Sequence, residues 1–173
     1  NYKIIKHDHI LIKLSNETLL VFNDPRKFGF IDLFMTSKLK NNKYFLKLGL
    51  DPFEKKLNKE YLYNRYRNSR SSIKQLLLNQ RIVAGIGNIY ACEILYDAKI
   101  SPFIPGNQLS FYMIEKLIQS MRNILKKAIS SGGTSLRNYI STDGTLGNFQ
   151  TKFKVYNKEG KKLTTKVELN SKV

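Results

Sequence analysis

The sequence predicts an α+β fold, and three features carry that prediction. Alternating apolar runs at residues 10–14 and 18–22 open the chain, which is the period of a β-hairpin. Leu48-Gly49-Leu50-Asp51-Pro52 then marks a change from period two to period 3.6. Four helical segments follow, the second and third joined by a corner with two glycines one residue apart. At 173 residues the chain suffices for one domain or two small ones with a buried core.

The first two runs are joined by Ser15-Asn16-Glu17, whose composition suits a hairpin turn. Asp24-Pro25-Arg26-Lys27-Phe28-Gly29 then interrupts the pattern before a third run at 30–34. Two cations and an aromatic in one turn have two readings. Phe28 folds back onto the sheet, or it stands out as a wedge that fills the stack when a base is displaced, beside a cationic clamp on phosphates. A basic connector at 38–47 leads to the helices, expected at about 59–67, 72–78, 88–98 and 110–130. In the last of these, Met113, Ile114, Leu117, Met121, Ile124, Leu125 and Ile129 form one apolar stripe, with Ser110 as its cap and Gly132-Gly133 as its stop. Residues 134–150 are polar and turn-rich and read as a long loop. A final alternating run at 149–156 reads as a strand, with a turn at 157–160 and a lysine-rich tail without pattern.

Arg81-Ile-Val-Ala-Gly-Ile-Gly-Asn-Ile-Tyr-Ala-Cys-Glu-Ile-Leu95 is the corner itself. Gly85 and Gly87 permit positive φ and close approach of another backbone, and Asn88 is placed to cap the third helix. A helix N-terminus in a basic chain attracts phosphate; an ordinary capped turn in a bundle is the plainer alternative. Lys74 lies among Ile73, Leu76 and Leu77 just before this corner. It either reaches the same phosphate or snorkels to solvent.

Thirty Lys and Arg against thirteen Asp and Glu give a formal charge of +17, which favours a polyanionic partner. Most of these cations are lysines, in a chain also rich in Asn and Ile, so the total says less than the placement of Arg26, Arg70, Arg81 and Arg137 in or beside turns. One cysteine, Cys92, excludes an internal disulfide and a multi-cysteine metal site. With no run of about eighteen apolar residues and no signal-peptide pattern, the expectation is a soluble intracellular protein. The start lacks an initiator methionine and enters a strand almost at once, as expected of a fragment.

Five motifs then carry a resemblance. Phe-Asn-Asp-Pro-Arg-Lys-Phe-Gly (22–29), Ile-Lys-Gln-Leu-Leu-Leu-Asn-Gln (73–80), Gly-Ile-Gly-Asn-Ile-Tyr-Ala (85–91), Ser-Gly-Gly-Thr-Ser-Leu-Arg (131–137) and Phe-Lys-Val-Tyr (153–156) occur in the order and spacing of bacterial formamidopyrimidine-DNA glycosylases. The resemblance implies the later part of a β-sandwich at 1–48 and a helix-two-turns-helix DNA-binding domain at 49–133. It further implies a lesion-recognition loop and strand at 134–160, and a degenerate tail at 161–173 where the family has a zinc hairpin. It implies base excision repair of oxidised purines such as 8-oxoguanine, on double-stranded DNA bearing an oxidised base or abasic site. His7 and Arg26 correspond to DNA contacts around the lesion, Phe28 to the wedge, and Lys74 and Asn88 to phosphate ligands. Arg137 and Tyr139 fall in the loop over the flipped base, and Arg70 stands beside Ser69, the position of the family's basic residue before the second helix.

The departures set further expectations. The family's nucleophile is the amine of an N-terminal proline followed by glutamate, and this chain has no Pro-Glu start, so no catalytic residue is assigned and little glycosylase activity is expected of it alone. The first zinc-cysteine position holds Leu163, so no cofactor is expected. A monomer, cytoplasmic and nucleoid-associated, working with or without a separate N-terminal fragment, completes the expectation. The rival from another class is a non-enzymatic RNA-binding protein, since the helix-two-turns-helix element also occurs in a ribosomal protein; it leaves residues 24–29 and the loop after Gly133 without a role.

Overall fold

In a computed structural model of the chain, residues 2–134 and 147–160 are described. They form two compact units, one ending at Asn42 and the other starting at Lys43.

The first unit is a hairpin. Strands β1 (Asp8–Lys13) and β2 (Leu19–Asn23) pair antiparallel with Ile10 opposite Phe22, Leu11 opposite Val21 and Ile12 opposite Leu20. The Leu14 amide donates to the Thr18 carbonyl at 2.8 Å, and the Asn16 side chain accepts from the Thr18 amide at 3.1 Å, which fixes the register. The third run, 30–34, pairs with no strand among the described residues. Alternation makes a strand only where a neighbour supplies the ladder, and Leu33 here is 95% exposed. A short 3-10 helix follows at Thr36–Asn41.

The second unit holds every buried apolar side chain among the described residues, from Leu57 to Phe153. Helices α1 (Lys59–Tyr66), α2 (Ile73–Leu78), α3 (Asn88–Ala98) and α4 (Phe111–Ser130) lie where the 3.6-residue period predicts them. Three of the four starts have a side-chain cap. Asn58 accepts from the Tyr61 amide ahead of α1, Ser72 and Gln75 form a reciprocal capping box on α2, and Ser110 accepts from the Met113 amide on α4, as expected. With six residues, α2 is too short to stand alone and is held by packing on α3. Helix α4 packs on α3 and α1, burying Ile114, Leu117, Ile118, Met121, Ile124 and Ala128.

Two details of that helix differ from the expected stripe. Ile129 is 67% exposed, because Ala128 takes the inward position at this end. Arg122 has a role that no sequence motif marks: its guanidinium donates to the carbonyls of Pro52, Glu54 and Leu57 at 3.0, 3.1 and 2.9 Å and ties the 51–58 turn to α4. Beyond α4, Gly132 and Gly133 at φ 72° and 81° stop the helix, with the Gly133 amide bonded to the Ala128 carbonyl at 2.8 Å.

The run at 149–156 is not a strand. Phe149–Lys152 is a 3-10 turn, and the buried Phe149 and Phe153 are four residues apart rather than alternating. Phe149 stacks on Tyr90 of α3 at 5.9 Å between ring centroids, and Phe153 meets Phe149 edge-on at 5.7 Å. The backbone amides that a ladder would have used donate instead to the Glu93 carboxylate.

Candidate nucleic-acid interface

The turn after β2 is organised by one carboxylate. Asp24 Oδ1 accepts from the amides of Arg26 and Lys27, each at 3.0 Å, and Oδ2 from the Gly29 amide at 2.6 Å. These bonds, that of Gly29 foremost, hold the Asp24 carboxyl below its usual range, against a smaller opposing effect of desolvation. The Asp24 amide donates to the His7 carbonyl at 3.0 Å, and His7 itself sits at φ 76°. His7, Arg26 and Phe28 are thus brought to one end of the hairpin. Phe28 does not fold back onto the sheet: it is 79% exposed, with the Arg26 guanidinium carbon 5.0 Å from its ring centroid. Asp8 at the same end is also held low, chiefly by the Asn23 amide group and then by the Ile5 amide.

The helical corner is built differently from the expectation. Gly87, extended at φ −102°, is the cap residue of α3 and gives no side-chain hydrogen bond; Asn88 is the first helical residue. Its carboxamide oxygen accepts from the Cys92 thiol at 3.9 Å instead of capping. Of the two glycines only Gly85, at φ 83°, requires its type, and a Cβ on either would meet nothing within 4 Å. The close backbone approach lies at Gly49, where a Cβ would stand 2.3 Å from the Ile82 carbonyl group. There the Gly49 amide donates to the Gln80 carbonyl at 2.7 Å and the Ala84 amide to the Leu50 carbonyl at 3.0 Å, so the connector 49–50 runs as a rail along the corner.

Gln80 locks the corner from within. Its side-chain oxygen accepts from Gly85 and its NH2 group donates to the Ile86 and Leu78 carbonyls. Lys74 is half-buried in the first turn of α2, and its amide donates to the Pro102 carbonyl at 3.3 Å. Arg70 and Asn88 are exposed. No acidic side chain pairs with Arg70, Lys74 or Arg81 among the described residues. The first turn of α3 has no side-chain cap, and lysine and arginine side chains stand on the elements beside it, which is the chemistry an anion receptor would need. Arg137 and Tyr139 lie outside the described residues.

Sequence reasoning missed Gln80, Gly49 and Glu93. Glu93 left a signal, a carboxylate on the face that buries Ala91, Ile94, Leu95 and Ala98. Gln80 left less, closing a motif without an apolar role.

This geometry defines a class first: an α+β protein whose helical unit is organised around a glycine corner between two helices. Residues 48–139, more than half of the chain, match the family described as Formamidopyrimidine-DNA glycosylase H2TH domain, and the chain belongs to that family. It is 46% identical over 155 residues to the formamidopyrimidine-DNA glycosylase of Zymomonas mobilis, covering 90% of this chain and 57% of that protein. The Rickettsia africae protein of the same name is 44% identical over 160 residues, covering 92% and 58%. Among solved structures, MutM (Fpg) of Thermus thermophilus superposes with a TM-score of 0.83 at 34% identity, covering 91% of this chain and 60% of that one. Lactococcus lactis Fpg in complex with abasic-site DNA gives 0.85 at 38%, covering 95% and 60%. The chain thus spans less than two thirds of the length of these relatives. The ribosomal alternative gains no support from them.

Proposed function

We propose that this chain is the damaged-DNA-binding portion of a base excision repair glycosylase and AP lyase acting on oxidised purines, 8-oxoguanine and formamidopyrimidines among them. The observation that carries the reading is the family membership over the helical corner. Relatives of the same architecture are described in complex with abasic-site DNA and with Fapy-dG containing DNA. The partner is then double-stranded DNA bearing such a lesion.

On this reading Asn88 and Lys74 take one backbone phosphate at the corner, with Arg70 beside it. His7 and Arg26 hold phosphates near the lesion, and Phe28 enters the stack where the base has left. Arg137 and Tyr139 belong to the segment over the displaced base. The hairpin belongs to a β-sandwich: Ile10, Leu11 and Ile12 in succession make both of its faces apolar, at 38–44% exposure, as in a sheet covered on both sides. The protein works as a monomer on the nucleoid in the cytoplasm, and the glycosylase and lyase chemistry belongs to the whole protein, with no nucleophile assigned to these residues.

The family's zinc hairpin does not fit the residues present. Four thiolates are needed, and these 173 residues hold one cysteine, Cys92, whose thiol faces Asn88 within α3.

The test is the affinity of the purified chain for a duplex with a stable abasic-site analogue, against the same duplex intact and a structured RNA, across salt concentrations. Preference for the abasic duplex is expected. Equal and steeply salt-dependent binding to all three would leave only a basic surface, and preference for RNA would overturn the reading.

A further inference from the structure

Glu93 is 1% exposed in the middle of α3, and a carboxylate so deep is tolerated only where donors surround it. They come from one stretch of chain: Oε2 accepts from the Lys154 amide at 2.9 Å, and Oε1 from the Val155 and Tyr156 amides at 3.0 and 2.9 Å. These are charge-assisted bonds, about twice as strong as neutral ones. Three consecutive amides converging on one carboxylate fix the orientation of the segment that carries them.

That segment begins at the base of the 134–148 stretch. The Phe149 amide donates to the Gly133 carbonyl and the Asn148 amide to the Ser131 carbonyl, each at 3.0 Å. The Tyr90 hydroxyl on α3 meets the Thr134 hydroxyl at 3.1 Å. Gly147 is packed so tightly that a Cβ would stand 2.3 Å from the Gly133 carbonyl oxygen. Helix α3 therefore carries Asn88 on its first turn, Tyr90 against one side of this base, and Glu93 against the limb that leaves it.

We infer that Glu93 is a positioning residue, a buried latch through which α3 holds the 149–156 limb, so that the base of the 134–148 stretch and the anion corner keep one fixed relation. The inference rests on the proposed function for its consequence: lesion preference depends on Glu93, whereas grip on the backbone of intact DNA does not. Glutamine in its place is almost isosteric but offers one acceptor oxygen and turns an NH2 group toward amide donors, so part of the set is left unpaired.

The experiment compares the full chain with Glu93→Gln by hydrogen exchange and by binding to the abasic-analogue and intact duplexes. Exchange at residues 154–156 is expected to rise by about tenfold or more while α4 stays protected. Preference for the abasic duplex is expected to fall about tenfold, with affinity for intact duplex changing less than about twofold. Unchanged protection at 154–156 overturns the latch, and raised exchange with preference intact overturns the positioning role. If Glu93→Gln fails to fold, Val155→Pro removes one donor while leaving the helices untouched, and exchange at 154 and 156 together with the same binding comparison decides. If the parent chain does not distinguish the duplexes, the proposed function has failed, and exchange at 154–156 still decides the latch.

Discussion

The Gln80 side chain and the Gly85 backbone are joined by a 2.7 Å hydrogen bond that closes the corner between α2 and α3. The same carboxamide donates to the Ile86 carbonyl at 2.8 Å, so one side chain satisfies an amide and a carbonyl that the turn withholds from both helices. A side chain with both a donor and an acceptor is needed.

Replacing Gln80 by alanine is expected to destabilise the helical unit by about 1–2 kcal/mol, the net worth of two such bonds. Gln80→Glu keeps the acceptor toward Gly85 but puts a carboxylate oxygen against the Ile86 carbonyl, and should be no better than alanine near neutral pH. Urea unfolding of the two variants checks this; parental stability in either would contradict it.

Gly49 should be more sensitive than Gly85 or Gly87 in steric terms. An alanine Cβ there meets the Ile82 carbonyl carbon and oxygen at 2.3 Å, and these are backbone atoms that cannot rotate aside. Gly49→Ala is expected to cost about 2–3 kcal/mol, in the range of overpacked sites. Gly87→Ala, with open space around its Cβ and an extended backbone, should cost well under that and serves as the control. Thermal melts of the pair give the comparison.

The turn that presents Arg26 and Phe28 should respond to acid. The folded Asp24 carboxyl is held below its ordinary value of 3.8, mainly by the Gly29 amide, so its contribution is complete above that value. It is lost as pH falls through the lowered folded value. Amide chemical shifts of Arg26, Lys27 and Gly29 should hold steady down to about 3.8 and move together below it. A common midpoint above 3.8 would contradict the arrangement, and Asp24→Asn should abolish the transition.

Phe28 and Lys74 should fail in different ways. Phe28→Ala is expected to weaken binding to lesion duplex by about 1–3 kcal/mol, the range for a base stacked on an aromatic ring, with little effect on intact duplex. Lys74→Ala should weaken all duplexes alike and reduce the salt slope by about one unit. Equal losses on both duplexes for Phe28, or a lesion-selective loss for Lys74, would reverse the assignments.

What the sequence determined by itself was local. The four helices, the Ser110 start of α4 and the Gly132-Gly133 stop follow from period and capping chemistry within a few residues, and the hairpin from alternation and its Asn16 turn. The motifs at 22–29 and 85–91 stood out because the composition of a turn reports what the turn must do.

Only the tertiary structure decided what depends on a partner far along the chain. The run at 149–156 alternates, yet its amides find Glu93, some sixty residues away, before they find a strand. The run at 30–34 alternates too and meets no strand among the described residues. Gly49 needs to be glycine because residues 81–82 run past it, which no local pattern records. Asn88 stood in a capping context, but the chain enters α3 one residue earlier, at Gly87. The physical reason is common to all four. Periodicity encodes which side of an element is buried, whereas the partner that satisfies a buried amide or carbonyl is chosen by whichever segments the completed core brings within about 3 Å.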